Sequence, residues 1–406
     1  MRLTAAQKLI IISTTLDMFL EGVFVTLPTL NALAVPPWAT PLLLSTVPIG
    51  TLVGNLALGR LTDLRGRKWA YLAMLAVYAV GALLVLSSSW VPAVLAGLLI
   101  TQAAMGGEVP IVLSYIVESA PVDVKERLVV LVTNVGNIGA VVVSALALAV
   151  GGLSAYAGRV AVGALIGLAL AVMAFTRYMV PESGQWLSLR PEERGRVVLG
   201  SGGALWLALL SVMAVSSVLT FGLLALDIGP AEFRGIGIQL LVTYFTGEIV
   251  GGAVSAALIE SVGSKSFTLA SYLGGLVTSA LALPAAHFGL EAFLALLFIN
   301  GAFTEAVWAS RNVLESLSFP TTYRGTGVAM VRVAPYVLLL ASFFLLANVS
   351  VAAYMAFASA MWALGVAASG MWFIKGREVV GLPTPMRPED VMKKVGDRSP
   401  TASANP

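Results

Sequence analysis

The sequence predicts an all-α integral membrane protein with twelve transmembrane helices in two six-helix bundles. Three observations carry that prediction. Hydrophobic residues fill 58% of the 406 positions and the mean hydropathy is +0.92, which fits no soluble globular class. Apolar stretches of about 20 residues, enough to cross a hydrocarbon core of about 30 Å, recur twelve times. The scarce charged residues, 11% of the chain, also repeat at a constant offset of 197. That offset carries Glu108 onto Glu305, Glu118 onto Glu315, Arg127 onto Arg324, Gly66 onto Gly263 and Lys68 onto Lys265, and sets Asp63 opposite Glu260. Such a register marks a duplicated membrane half, and ionisable groups at a repeat interface are the build of a secondary transporter.

The elements follow in order. The first apolar stretch, 9–33, is longer than a signal-peptide core and carries Asp17 and Glu21, so it is read as a retained span ended by Pro36-Pro37. The second, 40–59, runs into the basic loop before the third, 69–88. The fourth, 91–118, holds Glu108 ten residues from Glu118, about 15 Å along a helix, and so near mid-membrane. The fifth, 128–150, carries Asn134 and Asn137 and closes at Gly151-Gly152; the sixth is 157–180. Residues 181–200 are the longest internal polar segment and are read as the linker between bundles 1–180 and 201–375. The seventh span, 202–227, closes at Gly229-Pro230. The eighth, 237–260, sets Glu248 among Thr246, Gly247, Gly251 and Gly252, a pattern of close helix packing. The ninth (267–286), tenth (290–316, with Glu305), eleventh (325–347, with Arg332 as the one cation at depth) and twelfth (350–375) complete the set. Segment 376–406 is a polar tail, expected to be disordered at its end.

Twelve spans put both termini on one side. Twenty-one Lys and Arg, Arg177 and Arg311 among them, are assigned to that side and two, Arg159 and Arg234, to the other. This asymmetry predicts cytoplasmic termini in a multi-pass protein of the cell membrane, and it makes the net charge of +3 a topology signal with no nucleic-acid partner implied. Trp38, Trp90 and Trp186 near predicted ends read as interface anchors. No cysteine and a single histidine, His287, leave no material for a His-based metal centre or a Ser-His-Asp triad. No phosphate-binding Gly-Lys-Ser/Thr loop appears. Neither metal nor cofactor is expected, and the chain is read as a monomeric non-enzyme.

Between spans two and three stands Gly59-Arg-Leu61-Thr-Asp63-Leu64-Arg-Gly66-Arg67-Lys68. It resembles the signature loop of the major facilitator superfamily, G-x-L-x-D-[RK]-x-G-[RK]-[RK], departing at Leu64. Pro181-Glu182-Ser183-Gly-Gln-Trp186-Leu187 is similar to the PESPRWL segment of that superfamily's sugar-porter and organic-ion branch. Tyr115-Ile-Val-Glu118-Ser-Ala-Pro121 ending at Arg127, and Glu315 followed by Pro320-Thr321-Thr-Tyr-Arg324-Gly325, are similar to the charged segments after spans four and ten. The paired glutamines of sugar porters in span seven are missing, as is the Gly-Pro motif of drug antiporters in span five, and Gln102 stands where span four usually has Arg.

The resemblance implies a gate at the cytoplasmic side, built from Gly59, Asp63, Gly66, Arg67, Lys68, Glu118, Arg127, Glu182, Glu260, Glu315 and Arg324. Partial exposure would make each ion pair there worth about 0–1 kcal/mol. It also implies that spans one, four, seven and ten line a cavity. Ionisable groups within spans are costly and call for a role. Asp17 and Glu21 stand at i,i+4 as two carboxylates able to share a proton, and Glu108, Glu305, Arg332, Asn134 and Asn137 complete the candidates for proton coupling or substrate binding. Structural acids and interhelical hydrogen bonds are the competing readings. The expected function is proton symport of a small polar solute (organic acid, sugar or inorganic anion) by alternating access, with a facilitative uniporter or a proton-coupled exporter as alternatives. Solute, protons and the lipid bilayer are the expected partners.

Overall fold

The computed structural model describes residues 3–32, 40–150, 155–200, 202–346 and 349–391. The expectations for Pro36-Pro37, Trp38, Gly151-Gly152 and the end of the tail lie outside these residues, as does the side chain of Arg159. The twelve principal helices are α1 (Ala5–Ala32), α2 (Thr40–Arg65), α3 (Arg67–Ser87), α4 (Val91–Ser119), α5 (Lys125–Val150), α6 (Ala155–Met179), α7 (Gly203–Thr220), α8 (Gly237–Val262), α9 (Ser264–Ala280), α10 (Leu290–Ser318), α11 (Arg324–Val331, resuming at Val333–Leu345) and α12 (Val351–Lys375). Among the described residues, ten helical stretches are long and apolar enough to cross a membrane. The described part of α6 and the seventeen-residue α9, which runs on into Ala282–His287, are the shorter two.

Packing repeats between the halves. In the first, α1 packs on α5 and α6, and α4 on α2 and α3; in the second, α7 packs on α11 and α12, and α10 on α8 and α9. Across the interface, α2 meets α11 and α5 meets α8. Exchanging the halves maps each of these contacts onto another, so Glu108 and Glu305 sit on equivalent helices, α4 and α10. The turns before α3 and α9 are equivalent too. Gly66 (φ 98°) and Gly263 (φ 83°) take up left-handed backbone that a residue with a Cβ adopts only under strain.

Two spans read as continuous are broken. α7 stops at Phe221, where Gly222 (φ 69°) gives its N–H to the Tyr244 hydroxyl at 3.1 Å, and then resumes as a π-turn (Leu224–Ile228) and a short helix to Glu232. Gly229-Pro230 therefore lies inside this extension and does not end the span. α11 breaks at Arg332, because Pro335 has no N–H for the carbonyl of Val331. Arg177 and Arg311, counted from the sequence among the charges on the termini side, are buried inside α6 and α10.

Candidate functional site

At the end of the molecule that carries the termini, four charged side chains from both halves form one buried cluster. The Arg67 guanidinium donates to Glu118 Oε2 (2.9 Å) and Oε1 (2.6 Å), to the Thr62 carbonyl (2.8 Å) and, across the interface, to the Thr321 carbonyl (3.1 Å). Arg324 of the second half donates to the same Glu118, and to the Ser316 (2.8 Å) and Pro385 (2.8 Å) carbonyls. Asp63 lies 3.4 Å from Arg67 and caps the N-terminus of α11, accepting from Gly325 N (3.0 Å), Thr326 N (2.7 Å) and Thr326 Oγ1 (2.7 Å). A carboxylate at a helix N-terminus meets unpaired N–H groups and the positive end of the helix dipole. Gly59 and Gly325 allow the approach, since a Cβ on Gly59 would come 2.8 Å from the Gly325 carbonyl oxygen.

These four groups are almost wholly buried, which corrects the expectation of partly exposed pairs. Losing one partner would strand a charge without water, at about 3–5 kcal/mol. The grouping also differs from the expected one. Arg127 reaches Glu260 at 2.6 Å on an exposed edge, and Glu315 sits deeper, on Arg311 (2.8 Å) and Arg332 (3.0 Å). The guanidinium of Arg332 is thus engaged by Glu315 and by Asn312 Oδ1 (2.9 Å).

Glu182, outside the spans, accepts from Arg67 N (2.9 Å), Lys68 N (3.1 Å) and Ser183 N (2.7 Å), so it closes the first turn of α3. Burial pushes its carboxyl above the usual range against those three donors. The Lys68 ammonium turns away to the Tyr178 carbonyl (2.9 Å).

The tail, expected from the sequence only to be polar and to end in disorder, lies over this cluster. The Pro385 carbonyl accepts from Thr321 N (2.9 Å) and Arg324, the Met386 carbonyl from Thr322 N (3.3 Å), and the Leu382 carbonyl from Lys125. Thr384 donates to the Val117 carbonyl (2.7 Å), and Arg387 pairs with Glu193 of the linker (2.9 Å). The tail therefore straps both halves and the linker together.

Between the halves, deeper than the cluster, lies a cavity of about 140 Å³. Its wall is mostly apolar (Met18, Val25, Met105, Val218, Phe221, Phe245), and Glu21, Asn137, Glu305, Trp308, Asn312, Arg332 and Tyr336 bring polar groups to it. Glu305, Trp308 and Asn312 form one stripe of α10 along this wall. Glu305 accepts from Asn137 Nδ2 across the interface (2.9 Å), while Asn134 donates to the Ile249 carbonyl (3.0 Å) and lies outside the wall.

Asp17 and Glu108 do not line this cavity. Asp17 is paired with Arg177 of α6, whose guanidinium lies 4.4 Å from the Tyr71 ring centre, and Glu108 takes the hydroxyl of Tyr78. Asp17 and Glu21 therefore do not act as one pair: Asp17 turns into the first half and Glu21 into the cavity. Gln102 donates to the Phe24 carbonyl (2.9 Å), so the cation beside span one comes from span six. Sequence reasoning missed Arg177, Arg311 and the strap. The apolar residues flanking both arginines were the available signal.

The profile of the Major Facilitator Superfamily matches residues 9–337. The Minor myo-inositol transporter IolF of Bacillus subtilis (strain 168) is 32% identical over 151 residues, 37% of this chain and 34% of that protein. The Myo-inositol transporter 2 of Cryptococcus neoformans var. grubii is 36% identical over 81 residues, 20% of this chain and 15% of that one. The matches thus span about a third or less of these relatives' length. Among solved structures, the proton:xylose symporter XylE bound to 6-bromo-6-deoxy-D-glucose superposes with a TM-score of 0.78 at 17% identity, over 94% of this chain and 98% of that one. The outward conformation of FucP gives 0.65 at 14%, over 89% and 98%. Identities this low speak to the fold.

Proposed function

Because the chain belongs to the major facilitator superfamily, we propose that it is a secondary active transporter that carries a small polar solute by alternating access and proton symport, with both termini in the cytoplasm. The observation that carries this reading is the cavity between the halves. Carboxylates of α1 and α10 face it, and a buried ion cluster joins the two halves on the termini side. Opening one end while closing the other requires that cluster to break and reform as a unit, and its shared Glu118 makes it a unit.

Asp17 and Glu108, close enough to interact within the first half, are the leading proton carriers in this reading. A proton on either group removes a charge that otherwise resists the closed core. The inositol and sugar relatives make myo-inositol and D-xylose the first solutes to try, ahead of organic acids and inorganic anions, because the Arg332 guanidinium is already taken by Glu315. The test is uptake by proteoliposomes under an imposed pH gradient, with and without an uncoupler. Accumulation that collapses with the uncoupler supports symport, and equilibration unaffected by it points to a uniporter. In Asp17→Asn and Glu108→Gln, solute exchange should persist while uphill accumulation is lost. Accumulation in both variants would move coupling elsewhere.

A further inference from the structure

Glu248 differs from the other deeply buried carboxylates, of which Glu108 has no paired cation among the described residues but accepts from the Tyr78 hydroxyl. Asp63, Glu118 and Glu315 each sit against guanidinium groups. Glu248, wholly buried in α8, has neither oxygen in hydrogen-bonding geometry with any donor among the described residues. The elements around it supply no cation. α5 brings Asn134 and Asn137, and α10 brings Thr304 and Glu305. The Tyr272 hydroxyl of α9 is spent on the Met213 carbonyl, and Lys265 lies at that helix's far end over Phe373. Asp227, on the extension of α7, is exposed. On α8 itself, Tyr244 lies one turn away with its hydroxyl beside Glu248, and Glu260 is held by Arg127. An ionised carboxylate in this place would have only the Tyr244 hydroxyl, and no cation, to replace its hydration, so the group keeps its proton.

Glu305 is the acid within electrostatic reach. Gly301, one turn before it on α10, abuts the Glu248 backbone, where a Cβ would lie 3.3 Å from the Glu248 nitrogen. One acid is dry and the other lines the cavity. We propose that Glu248 and Glu305 form a second proton-binding site, in the second half, where Glu248 stores a proton and exchanges it with the cavity through Glu305. When side-chain rotation brings the two carboxyl groups within hydrogen-bonding reach, the proton passes from the Glu248 carboxyl oxygen to the Glu305 carboxylate and on to cavity water; only O–H bonds break and form. The Tyr244 hydroxyl also accepts the Gly222 N–H at the break in α7, next to Phe221 of the cavity wall, so the charge on Glu248 is felt where the solute sits. This inference rests on the symport reading and adds a site to that of Asp17 and Glu108.

The deciding measurement needs no substrate. Infrared spectra of the purified full-length protein in nanodiscs at neutral pH should contain the C=O band of a neutral carboxylic acid that shifts in heavy water. Glu248→Gln should remove one carboxyl's worth of that band, and Glu305→Gln should displace the Glu248 component. Undiminished intensity in Glu248→Gln overturns the proposal. Should that variant fail to fold, Glu248→Asp must move the band, and an unmoved band also overturns it. In proteoliposomes with myo-inositol or D-xylose, Glu248→Gln should lower the protons carried per solute by one, and an unchanged ratio counts against the site. If the wild type shows no gradient-driven uptake, the symport reading fails, and the infrared result alone decides Glu248.

Discussion

Glu182 and Glu378 close equivalent helix starts in the two halves, one residue short of the repeat offset. Glu182 takes the N–H groups of Arg67 and Lys68 at 2.9 and 3.1 Å, and Glu378 takes those of Ser264 and Lys265 at 2.8 and 3.2 Å. Each stands against a left-handed glycine, Gly66 or Gly263, where a Cβ would come 2.3 or 3.0 Å from the carboxylate. The two caps differ in charge balance. Burial pushes Glu378 up, but hydrogen bonds from Ser264, Val380 and Lys265 outweigh it and hold the carboxyl below the usual range, whereas in Glu182 burial wins.

Glu378→Gln is expected to cost about 1 kcal/mol, the usual worth of a cap. The sign of its pH dependence follows from the lowered value. Its stabilisation is present above the ordinary glutamate value of about 4.3 and is lost as pH falls through the folded-state value, so thermal melts of variant and wild type should converge in acid. For Glu182 the sign reverses. Its share is full in acid and is lost as pH rises through the raised value, so the gap of Glu182→Gln should narrow toward neutral pH.

Asp63→Asn removes the charge that caps α11 and pairs with Arg67, and should favour opening at the termini-bearing end. The chain has no cysteine, so Ala329→Cys, buried beside Gly59, reports opening by maleimide labelling. The expected gain in labelling rate with Asp63→Asn is roughly tenfold, which corresponds to about 1.4 kcal/mol. An unchanged rate would dismiss Asp63 as a latch.

Glu118→Gln leaves Arg67 and Arg324 facing each other without their shared counter-charge. A loss of about 3–5 kcal/mol is expected, read as a lowered melting temperature. Adding Arg324→Gln should restore part of it, because the stranded charge goes with it. Strictly additive losses in the double variant would show that the two do not interact.

Truncation after Lys375 deletes the carbonyls that hold Arg324, Thr321 and Lys125. The helices keep their own packing, so the protein should still fold, with faster labelling at Ala329→Cys. Restoring residues 376–391 should reverse the effect, and no change on truncation would make the strap ornamental.

The twelve helices and the repeat were legible because hydrophobic runs and scarce charges are one-dimensional signals. Asp63, Arg67, Glu118 and Arg324 of the termini-side cluster lie in short motifs, but Arg127, Glu260 and Glu315, grouped with them from the sequence, sit apart. The pairing within the cluster was not legible, because Arg67, Glu118 and Arg324 meet only when helices of both halves close on each other. The sequence leaves Arg332 open between an ion pair and a substrate contact because Glu315, its partner, is 17 residues away on another helix. The breaks at Gly222 and Arg332 were hidden because a window of apolar residues does not register where a glycine takes a positive φ or a proline omits a donor. The strap was hidden for another reason: its hold on Arg324, Thr321 and Lys125 is through backbone carbonyls, which carry no sequence signature.

The repeat has worn unevenly at Asp63 and Glu260. Asp63 is stitched into α11 by three hydrogen bonds in a dry setting, whereas Glu260 holds a half-exposed Arg127 on the seam of α5 and α8. Dissolved salt screens the second joint and hardly touches the first. A seam with one deep tooth and one shallow tooth does not part evenly. On the alternating-access reading proposed above, it should peel from the α5–α8 flank and turn on the α2–α11 flank, so the mouth would form as a wedge, wider on one side, at a rate that rises with ionic strength.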